Sequence, residues 1–387
     1  MDYDRKMLYI CIMISRTIRQ RIEQILSSGK SVLLLGPRQV GKTTLLMDIH
    51  NDHSGSLYLD CDEPDIRSLL TDASSTKLRT FLGTQKLVII DEAQRVKNIG
   101  LTLKLIVDKL KDIKLIVSGS SALELSSDIN EPLTGRKIEI LMSGISYQEM
   151  SDHHGRMEEQ RLTETRLIYG MYPEVITFPE RAEILLRELT SGYLYKDVFN
   201  YQDVRKPELL HNLTEALARQ VGSEVSYNEL AQLLASDPAT IGRYIDLLEK
   251  SMVVFRLRSF SRNLRNELKK SRKIYFFDNG IRNAILGDFR PMSLRSDAGH
   301  LWENYMVSER VKMNMNLGLF CNQYFWRTRQ QQEIDYIEEA NGTIRAYEFK
   351  YGKDRPSKFS RSFTDEYKPM STQTIHPTNF HEFLSKT

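Results

Sequence analysis

The chain has 387 residues, of which 41% are hydrophobic and 27% are charged, and its formal net charge is +3. This length exceeds what one hydrophobic core usually organises, so two to four domains are expected. The near-neutral balance excludes a chain that is basic throughout, so any surface that binds nucleic acid must be local.

Cysteine usage and apolar runs bear on the cellular compartment. The three cysteines are Cys11, Cys61 and Cys321. Their wide separation and odd number give neither a disulfide framework nor a zinc spacing, which favours the reducing cytoplasm. The apolar run at residues 7–14 is too short to span a bilayer, and no small-residue cleavage site follows it. We therefore expect no membrane association. Met1 and Met13 are both candidate starts.

The first 145 residues alternate between apolar runs and helical patterns. Strands are predicted at residues 31–36, 56–62, 86–92 and 114–120, with helical segments between them. Short, continuously apolar strands that alternate with helices predict a parallel sheet covered on both faces. The predicted fold class of this part is α/β.

The segment GPRQVGKT at residues 36–43 fits the phosphate-loop pattern GxxxxGK[ST], and it follows a predicted strand and opens a helix. Glycines let the backbone N–H groups turn towards phosphate oxygens, and the helix start adds positive charge. Lys42 is predicted to reach the β- and γ-phosphates of ATP, and Thr43 to bind Mg²⁺. The predicted contacts are Gly36, Pro37, Arg38, Gln39, Val40, Gly41, Lys42, Thr43 and Thr44.

The run LVIIDE places two carboxylates at the end of a buried strand, where a parallel α/β sheet presents groups to its ligand. Asp91 is predicted to hold Mg²⁺, and Glu92 to polarise the attacking water. Ser118 or Ser120, at the end of the next strand, is a candidate sensor of the γ-phosphate. Arg136 is a candidate γ-phosphate contact, either within its own chain or across a subunit boundary, and the second case would require a homo-oligomer.

After residue 145 the sequence pattern changes from alternating strands and helices to mainly helices. Residues 146–220 are mostly helical, and the stretch that follows predicts two helices joined by a tight turn and then a strand, as in a winged helix-turn-helix. The predicted units are an ATPase core (1–145), a helical lid or linker (146–205), a winged helix (206–262) and a C-terminal domain (263–387). The final thirty residues receive no assignment.

Several motifs together resemble one family. They include GPRQVGKTTLL, VIIDEAQ, SGSSALEL, LTGRK, YLYKDVF, KIYFFDNGIRNAIL, GHLWENYMVSE and FWRTRQQQEIDYI. In this order they are similar to prokaryotic AAA+ ATP-binding proteins, over about residues 14–350. The resemblance implies an ATPase domain, a winged helix and a C-terminal restriction-endonuclease-like domain. Ala93 and Thr134 depart from the family pattern, and neither takes part in the predicted chemistry.

A second site is predicted near the C-terminus. EIDYIEE and TIRAYEFK read as two strands joined by an Ala-Asn-Gly hairpin. Pairing would bring Asp335 near Glu348, with Lys350 on the same strand face as Glu348. This D…ExK arrangement predicts Mg²⁺ on Asp335 and Glu348, charge stabilisation by Lys350, and Glu303 as a further carboxylate. The alternative is a pair of charged hairpin edges without chemistry.

Nucleic-acid contact is predicted from helix 238–250, with Arg243 and Tyr244 facing outwards. A basic run at 256–273 follows, which can neutralise phosphates. Its members are Arg256, Arg258, Arg262, Arg265, Lys269, Lys270, Arg272 and Lys273. The sequence thus predicts an ATP-hydrolysing, DNA-binding protein with a Mg²⁺-dependent nuclease-like site. The alternatives are a nucleotide-gated DNA-binding regulator and a protein-interaction module.

Overall fold

A computed structural model describes residues 14–119, 133–194, 206–261, 272–352 and 358–385. Two β-sheets organise this part of the chain, one of five strands and one of seven. None of the helices in these ranges is long and apolar enough to cross a membrane.

The first sheet is parallel, with the strand order β2-β3-β4-β1-β5. Its strands are β1 (Ser31–Leu35), β2 (Ser56–Asp60), β3 (Leu87–Asp91), β4 (Lys114–Gly119) and β5 (Lys137–Leu141). Leu35 at the end of β1 lies opposite Gly119 and Leu141. The parallel sheet is confirmed. Strand β5 was not predicted, because its alternating charges, Lys137 and Glu139, hide the short apolar pattern of a half-exposed edge strand.

Helices cover both faces of this sheet. They are α1 (Ile18–Ser27), α2 (Lys42–Asp52), α3 (Pro64–Leu70), α4 (Ser75–Leu82) and α5 (Ile99–Lys109). Val32 and Leu34 pack in the cluster that contains α1 and α2, whereas Leu33 and Leu35 pack with α4 and α5. Successive side chains of a strand point to opposite faces, so one apolar run supplies both cores.

A helical segment follows β5, in agreement with the helical pattern of the sequence. It contains α6 (Tyr147–His154), α7 (Arg156–Arg161), α8 (Thr163–Tyr169), α9 (Pro173–Thr177), α10 (Ala182–Glu188) and a π-helical turn at Leu189–Leu194. A capping box starts α6, because the Ser146 hydroxyl accepts from the Glu149 backbone and Glu149 accepts from the Ser146 backbone. The entry to this segment is therefore tightly fixed.

The next elements are α11 (Pro207–Arg219), β6 (Glu224–Val225), α12 (Tyr227–Leu233), α13 (Pro238–Lys250), β7 (Val254–Ser259) and β8 (Arg272–Phe276). Helix α13 starts where the Asp237 carboxylate accepts from the Thr240 backbone over 2.8 Å. Arg243 is exposed as predicted, but the outward prediction for Tyr244 is wrong. Tyr244 is 1% exposed, because it continues the apolar stripe of Ile241 and Leu248.

The second sheet has the order β12-β11-β10-β9-β7-β8-β6. Its further elements and covering helices are α14 (Asn279–Leu286), α15 (Ala298–Leu317), β9 (Asn322–Arg327), β10 (Glu333–Ala340), β11 (Thr343–Phe349), α16 (Arg361–Tyr367), β12 (Ser371–Ile375) and α17 (Phe380–Phe383). Strands β7 and β9 pair in parallel, with Arg258 opposite Tyr324. The boundary predicted at residue 262 therefore falls inside one continuous sheet. The unassigned last thirty residues supply β12, which pairs in parallel with β11.

Helix α15 contacts both the second sheet and α1. It is 20 residues long and mostly buried, and it packs in the core beneath the second sheet. On its other side Arg21 of α1 donates to the Met315 carbonyl over 2.9 Å. The first helix of the ATP-binding part thus rests directly on the long helix of the C-terminal part.

Candidate active site

The phosphate loop lies between the end of β1 and the start of α2. Gln39 and Gly41 have positive φ angles of 61° and 92°, which turn the backbone back on itself before the helix begins. At Gly36 a side chain is excluded by close approach, because a Cβ would lie 2.1 Å from the Met142 carbonyl oxygen. The glycines of the motif are thus required both for the turn and for packing against the chain after β5.

Lys42 lies across this loop. Its side chain is 5% exposed, and the ammonium donates to the carbonyl oxygens of Gly36 (2.8 Å) and Pro37 (2.9 Å). These contacts hold the positive charge over the concave side of the loop. Arg38 is half-buried within the loop and Gln39 is exposed.

The Asp91 carboxylate accepts hydrogen bonds from four groups of the site. Its Oδ2 accepts from the Thr43 hydroxyl (2.7 Å) and from the Tyr58 hydroxyl (2.6 Å). Its Oδ1 accepts from the Ser118 hydroxyl and from the Glu92 backbone N–H (3.1 Å). The carboxylate is buried, 2% exposed, and four donors fix its orientation.

The sequence did not predict that Tyr58 belongs to this site. It lies on β2, which is next to β3, with Asp60 opposite Asp91. Burial raises the pKa of the Tyr58 hydroxyl, and its hydrogen bond to Asp91 raises it further, so the phenol stays protonated and donates. The alternation of SLYLD gives no functional signal, and only the strand order brings this ring to Asp91.

Glu92 follows in a left-handed conformation, with φ at 52°. Its backbone N–H donates to Ser118 Oγ over 3.1 Å, and Gln94 Nε2 donates to its carboxylate over 2.5 Å. A non-glycine residue at positive φ is uncommon and often marks a functional position. Ser118, one of the two serine candidates, contacts Asp91 and Glu92. Ser120 lies outside the described residues.

Arg136 lies at the opposite edge of the first sheet. Its carbonyl accepts from the Ser31 backbone at the start of β1 (3.0 Å), and its guanidinium pairs with Asp108 at 2.7 Å. The five residues of β1 separate it from Gly36 by roughly 16 Å at 3.3 Å per residue. Arg136 therefore does not serve its own phosphate loop, and a contact across a subunit boundary stays a prediction.

A buried arginine, Arg16, donates hydrogen bonds to the backbone of the phosphate loop and to the chain after β5. Arg16, 8% exposed, donates to the Val40 carbonyl at 2.7 Å. It also donates to the Ser143 carbonyl at 2.8 Å and to Glu149 at 3.1 Å. These contacts join residues that are 24 to 133 positions apart, so they could not be read from the sequence.

The second predicted site is brought together by the hairpin. Tyr336 pairs with Tyr347, and Asp335 and Glu348 are the next residues beyond that pair. Lys350 Nζ lies 3.0 Å from Glu348 Oε2 and 4.0 Å from Asp335 Oδ2. The Phe349 N–H donates to Asp335 over 2.8 Å.

Burial is the largest cause of the raised pKa values of Asp335 and Glu348. Loss of water raises the pKa of Asp335 to about 7, and the charge of Glu303 adds to the shift. Burial, followed by the charge of Asp335, raises the pKa of Glu348 to about 7 as well. A buried pair of this kind shares protons, and its charged form needs a nearby cation.

Glu303 does not complete a metal-binding set with them. Its Oε1 accepts from Lys273 Nζ (3.0 Å) and from the Tyr275 hydroxyl (2.7 Å). Within the described ranges no group of three or more His, Cys, Asp or Glu residues is arranged to hold a metal ion. The expected acidic cluster is thus reduced to Asp335 and Glu348, because a buried lysine engages the third carboxylate.

The structure describes four of the eight residues in the predicted basic run, and two of these four are held in ion pairs. Arg256 pairs with Asp246 and Glu249, and Lys273 is 2% exposed. Burial lowers the pKa of Lys273, but Glu303, Asp335 and Glu333 outweigh it and raise that pKa, so the ammonium stays charged. For Lys273 the prediction of a phosphate-binding surface is wrong because its side chain is buried, and for Arg256 it stays a prediction. Arg258 is exposed and Arg272 lies over the Tyr227 ring. Arg262, Arg265, Lys269 and Lys270 lie outside the described residues.

The loop, the helix start behind it and the acidic end of β3, two strands away from β1 in the sheet, are typical of a P-loop ATPase domain. Residues 28–151 match the model of an AAA domain. Two models named as domains of unknown function match the rest, DUF8612 at residues 160–291 and DUF4143 at residues 298–382.

Relatives span most of the chain. An uncharacterized protein of Mycobacterium tuberculosis is 27% identical over 358 residues, covering 91% of this chain and 77% of its own. An uncharacterized protein of Methanocaldococcus jannaschii is 23% identical over 349 residues, covering 84% and 75%. Among solved structures, a Walker-type ATPase of Pyrococcus abyssi matches 71% of this chain and 96% of its own, with a TM-score of 0.50 and 17% identity. That likeness supports the fold.

Proposed function

We propose that the chain hydrolyses ATP at residues 36–44, with Glu92 as the residue that orients and polarises the attacking water. The observation that carries this is the contact of Thr43 with Asp91, together with Glu92 directly after Asp91. It places a hydroxyl and two carboxylates beside the loop that Lys42 crosses. This donor set suits the phosphates of ATP and the hard, oxygen-preferring Mg²⁺.

The roles of the residues follow from these contacts. The N–H groups of the loop and of the α2 start receive phosphate oxygens. Lys42 exchanges the Gly36 and Pro37 carbonyls for the β- and γ-phosphates. Thr43 and Asp91 would hold Mg²⁺, which supplies positive charge against the phosphates. Glu92 takes up the water's proton as the water attacks the γ-phosphate, while Gln94 and Ser118 hold Glu92 in place.

We further propose that DNA binds to a winged helix formed by α11 to β8. The succession of a helix, a short strand, two helices and two strands supports this, as do the exposed Arg243 on α13 and Arg258 on β7. The described contribution of the basic run is smaller than its sequence suggests, since Arg256 and Lys273 are held in ion pairs. Phosphate neutralisation by the exposed arginines would give affinity without sequence readout.

Metal-dependent cleavage of nucleic acid is a second candidate function, favoured by the contact of Asp335, Glu348 and Lys350. Two buried carboxylates with raised pKa values offer hard oxygen donors that a divalent cation would stabilise in the charged form. Asp335 and Glu348 would hold Mg²⁺, which supplies a Lewis acid for a phosphodiester. Lys350 would stabilise charge that develops on the phosphate.

One experiment tests these functions together. ATP turnover and plasmid cleavage are measured in one tube with Mg²⁺, for wild type, Lys42→Ala, Glu92→Gln and Glu348→Ala. Loss of turnover in the first two variants but not in Glu348→Ala supports the ATPase site, and loss of cleavage in Glu348→Ala alone supports a separate nuclease site. DNA-dependent turnover without cleavage would favour the nucleotide-gated regulator, and no affinity for DNA would favour the protein-interaction module.

A further inference from the structure

Arg16 stands just before α1, and its side chain connects the phosphate loop to the chain after β5. Nη1 donates to the Val40 carbonyl of the loop at 2.7 Å. Nη2 donates to the Ser143 and Gly144 carbonyls at 2.8 and 3.3 Å, and Nε donates to Glu149 at 3.1 Å. The rigid, planar guanidinium therefore fixes the distance between the loop and residues 143–149.

The Glu149 carboxylate, which accepts from Arg16, is itself held by further hydrogen bonds. Glu149 is 1% exposed. Its Oε1 also accepts from the Thr17 backbone at 2.9 Å, and its Oε2 accepts from the Ser146 backbone at 2.9 Å and the Ser146 hydroxyl at 3.0 Å. Displacing Arg16 would leave a buried charge without its cation, which is costly, so the loop and the start of α6 move as one unit.

Helix α15 also contacts residues 145–147. Lys312 Nζ donates to the Ile145 carbonyl at 2.8 Å, and the Tyr147 N–H donates to Glu309 at 2.7 Å. Lys312 and Glu309 also form an ion pair, and both side chains are 1% exposed. Buried polar contacts thus connect Val40 through Arg16 and Glu149 to Ser146, and the backbone on either side of Ser146 contacts α15, the helix that also carries Glu303.

The loop end of these contacts must rearrange when nucleotide binds. Phosphate oxygens compete with the Gly36 and Pro37 carbonyls for Lys42, and Mg²⁺ competes with Asp91 for the Thr43 hydroxyl. Val40 precedes Lys42 by two residues and stands between Gln39 and Gly41, the two positive-φ residues where the backbone turns. A change in this turn moves the carbonyl that Arg16 holds.

We propose that Arg16 is a positioning residue for ATP hydrolysis, and that it transmits the nucleotide state of the loop to α15. This rests on the proposed ATP site. Arg16 sets the phosphate-loop geometry through Val40, and occupancy of the loop changes the packing of residues 145–149 against Glu309 and Lys312.

The test compares Arg16→Lys with Arg21→Ala. Lysine keeps the charge but replaces the fork by one point contact. Arg21, five residues later on α1, donates to the Met315 carbonyl of α15 rather than to the loop. Steady-state kcat and KM for ATP are measured with hydrogen exchange of residues 145–149 and 309–316, with and without a non-hydrolysable ATP analogue. We expect Arg16→Lys to raise KM about tenfold, the loss of one charge-assisted hydrogen bond, with a smaller effect on kcat.

In wild type and Arg21→Ala the analogue should slow exchange in both segments, and in Arg16→Lys the response at 309–316 should disappear. An Arg16→Lys protein with wild-type KM, or with an intact response at 309–316, would overturn the inference. If Arg16→Lys does not fold, Glu149→Gln removes the anchoring charge and is expected to show the same loss. A wild-type protein that does not bind ATP would overturn the ATP site itself, a result distinct from either.

Discussion

Thr43 and Asp91 are joined directly, hydroxyl to carboxylate, over 2.7 Å. This contact links the first turn of α2 to the end of β3, and the same two groups are the proposed holders of Mg²⁺. We expect Thr43→Ala to abolish the tightening of ATP binding by Mg²⁺ and to lower ATP turnover by about 100-fold, since charge stabilisation at the transferred phosphate is lost. Binding titrations with and without Mg²⁺, beside turnover assays, measure both effects. Unchanged Mg²⁺ dependence would exclude Thr43 as a holder.

Tyr58 provides a finer test of the same carboxylate. Tyr58→Phe removes the 2.6 Å hydrogen bond to Asp91 and keeps the ring. Hydrogen bonds to charged groups contribute about 1.5–3 kcal/mol, so kcat should fall roughly tenfold or more while the affinity for nucleotide without Mg²⁺ is kept. Steady-state kinetics over a range of Mg²⁺ concentrations measure this, and a variant with wild-type kcat would show that Tyr58 has no influence on Asp91.

The Asp335–Glu348 pair predicts a pH dependence of stability. Burial raises both pKa values to about 7, so between pH 4 and pH 7 the folded protein binds more protons than the unfolded chain. Stability contributed by the protonated pair is therefore lost as pH rises through this window. We expect the free energy of unfolding to fall between pH 5.5 and 8, and Asp335→Asn to reduce that fall by at least about 1.4 kcal/mol, the equivalent of one pKa unit.

Denaturant unfolding at the two pH values measures this effect. Asp365→Asn, on the exposed face of α16, is the matched control and should keep the wild-type fall. An Asp335→Asn protein with the same pH dependence as wild type would contradict the shifted pair.

Arg243 and Arg258 test the proposed DNA surface. Each phosphate contact contributes about −0.9 to the slope of log binding constant against log salt, so Arg243→Ala/Arg258→Ala should make that slope shallower by about 2. Arg161→Ala, an exposed arginine on α7 paired with Glu158 and outside the proposed winged helix, is the control and should leave the slope unchanged. Binding to duplex DNA by fluorescence anisotropy at several salt concentrations measures the slopes. Equal slopes for the double variant and the control would place DNA elsewhere.

Local patterns made the phosphate loop and the hairpin site predictable. GPRQVGKT needs only the strand before it and the helix after it, and Asp335 reaches Glu348 through a two-residue turn at Asn341 and Gly342. Both sites depend on contacts between neighbouring segments, which sequence spacing encodes.

The contacts that escaped prediction depend on strand order and on distant helices. Tyr58 meets Asp91 because β2 lies beside β3. Arg136 lies far from the loop because it precedes β5 and bonds to Ser31 at the start of β1. Lys273 reads as part of a basic run, yet the sheet turns it inwards against Glu303. No local periodicity encodes the order in which strands assemble.

Glu92→Gln tests the proposed ATPase mechanism most directly. The amide keeps the size of the side chain but cannot accept the water's proton. ATP binding and ATP turnover are measured on the same preparation with Mg²⁺. Wild-type affinity with turnover lowered at least about 100-fold is the expected result, because general-base catalysis contributes that much or more. Turnover within a few-fold of wild type would contradict the assignment of Glu92 and with it the proposed mechanism.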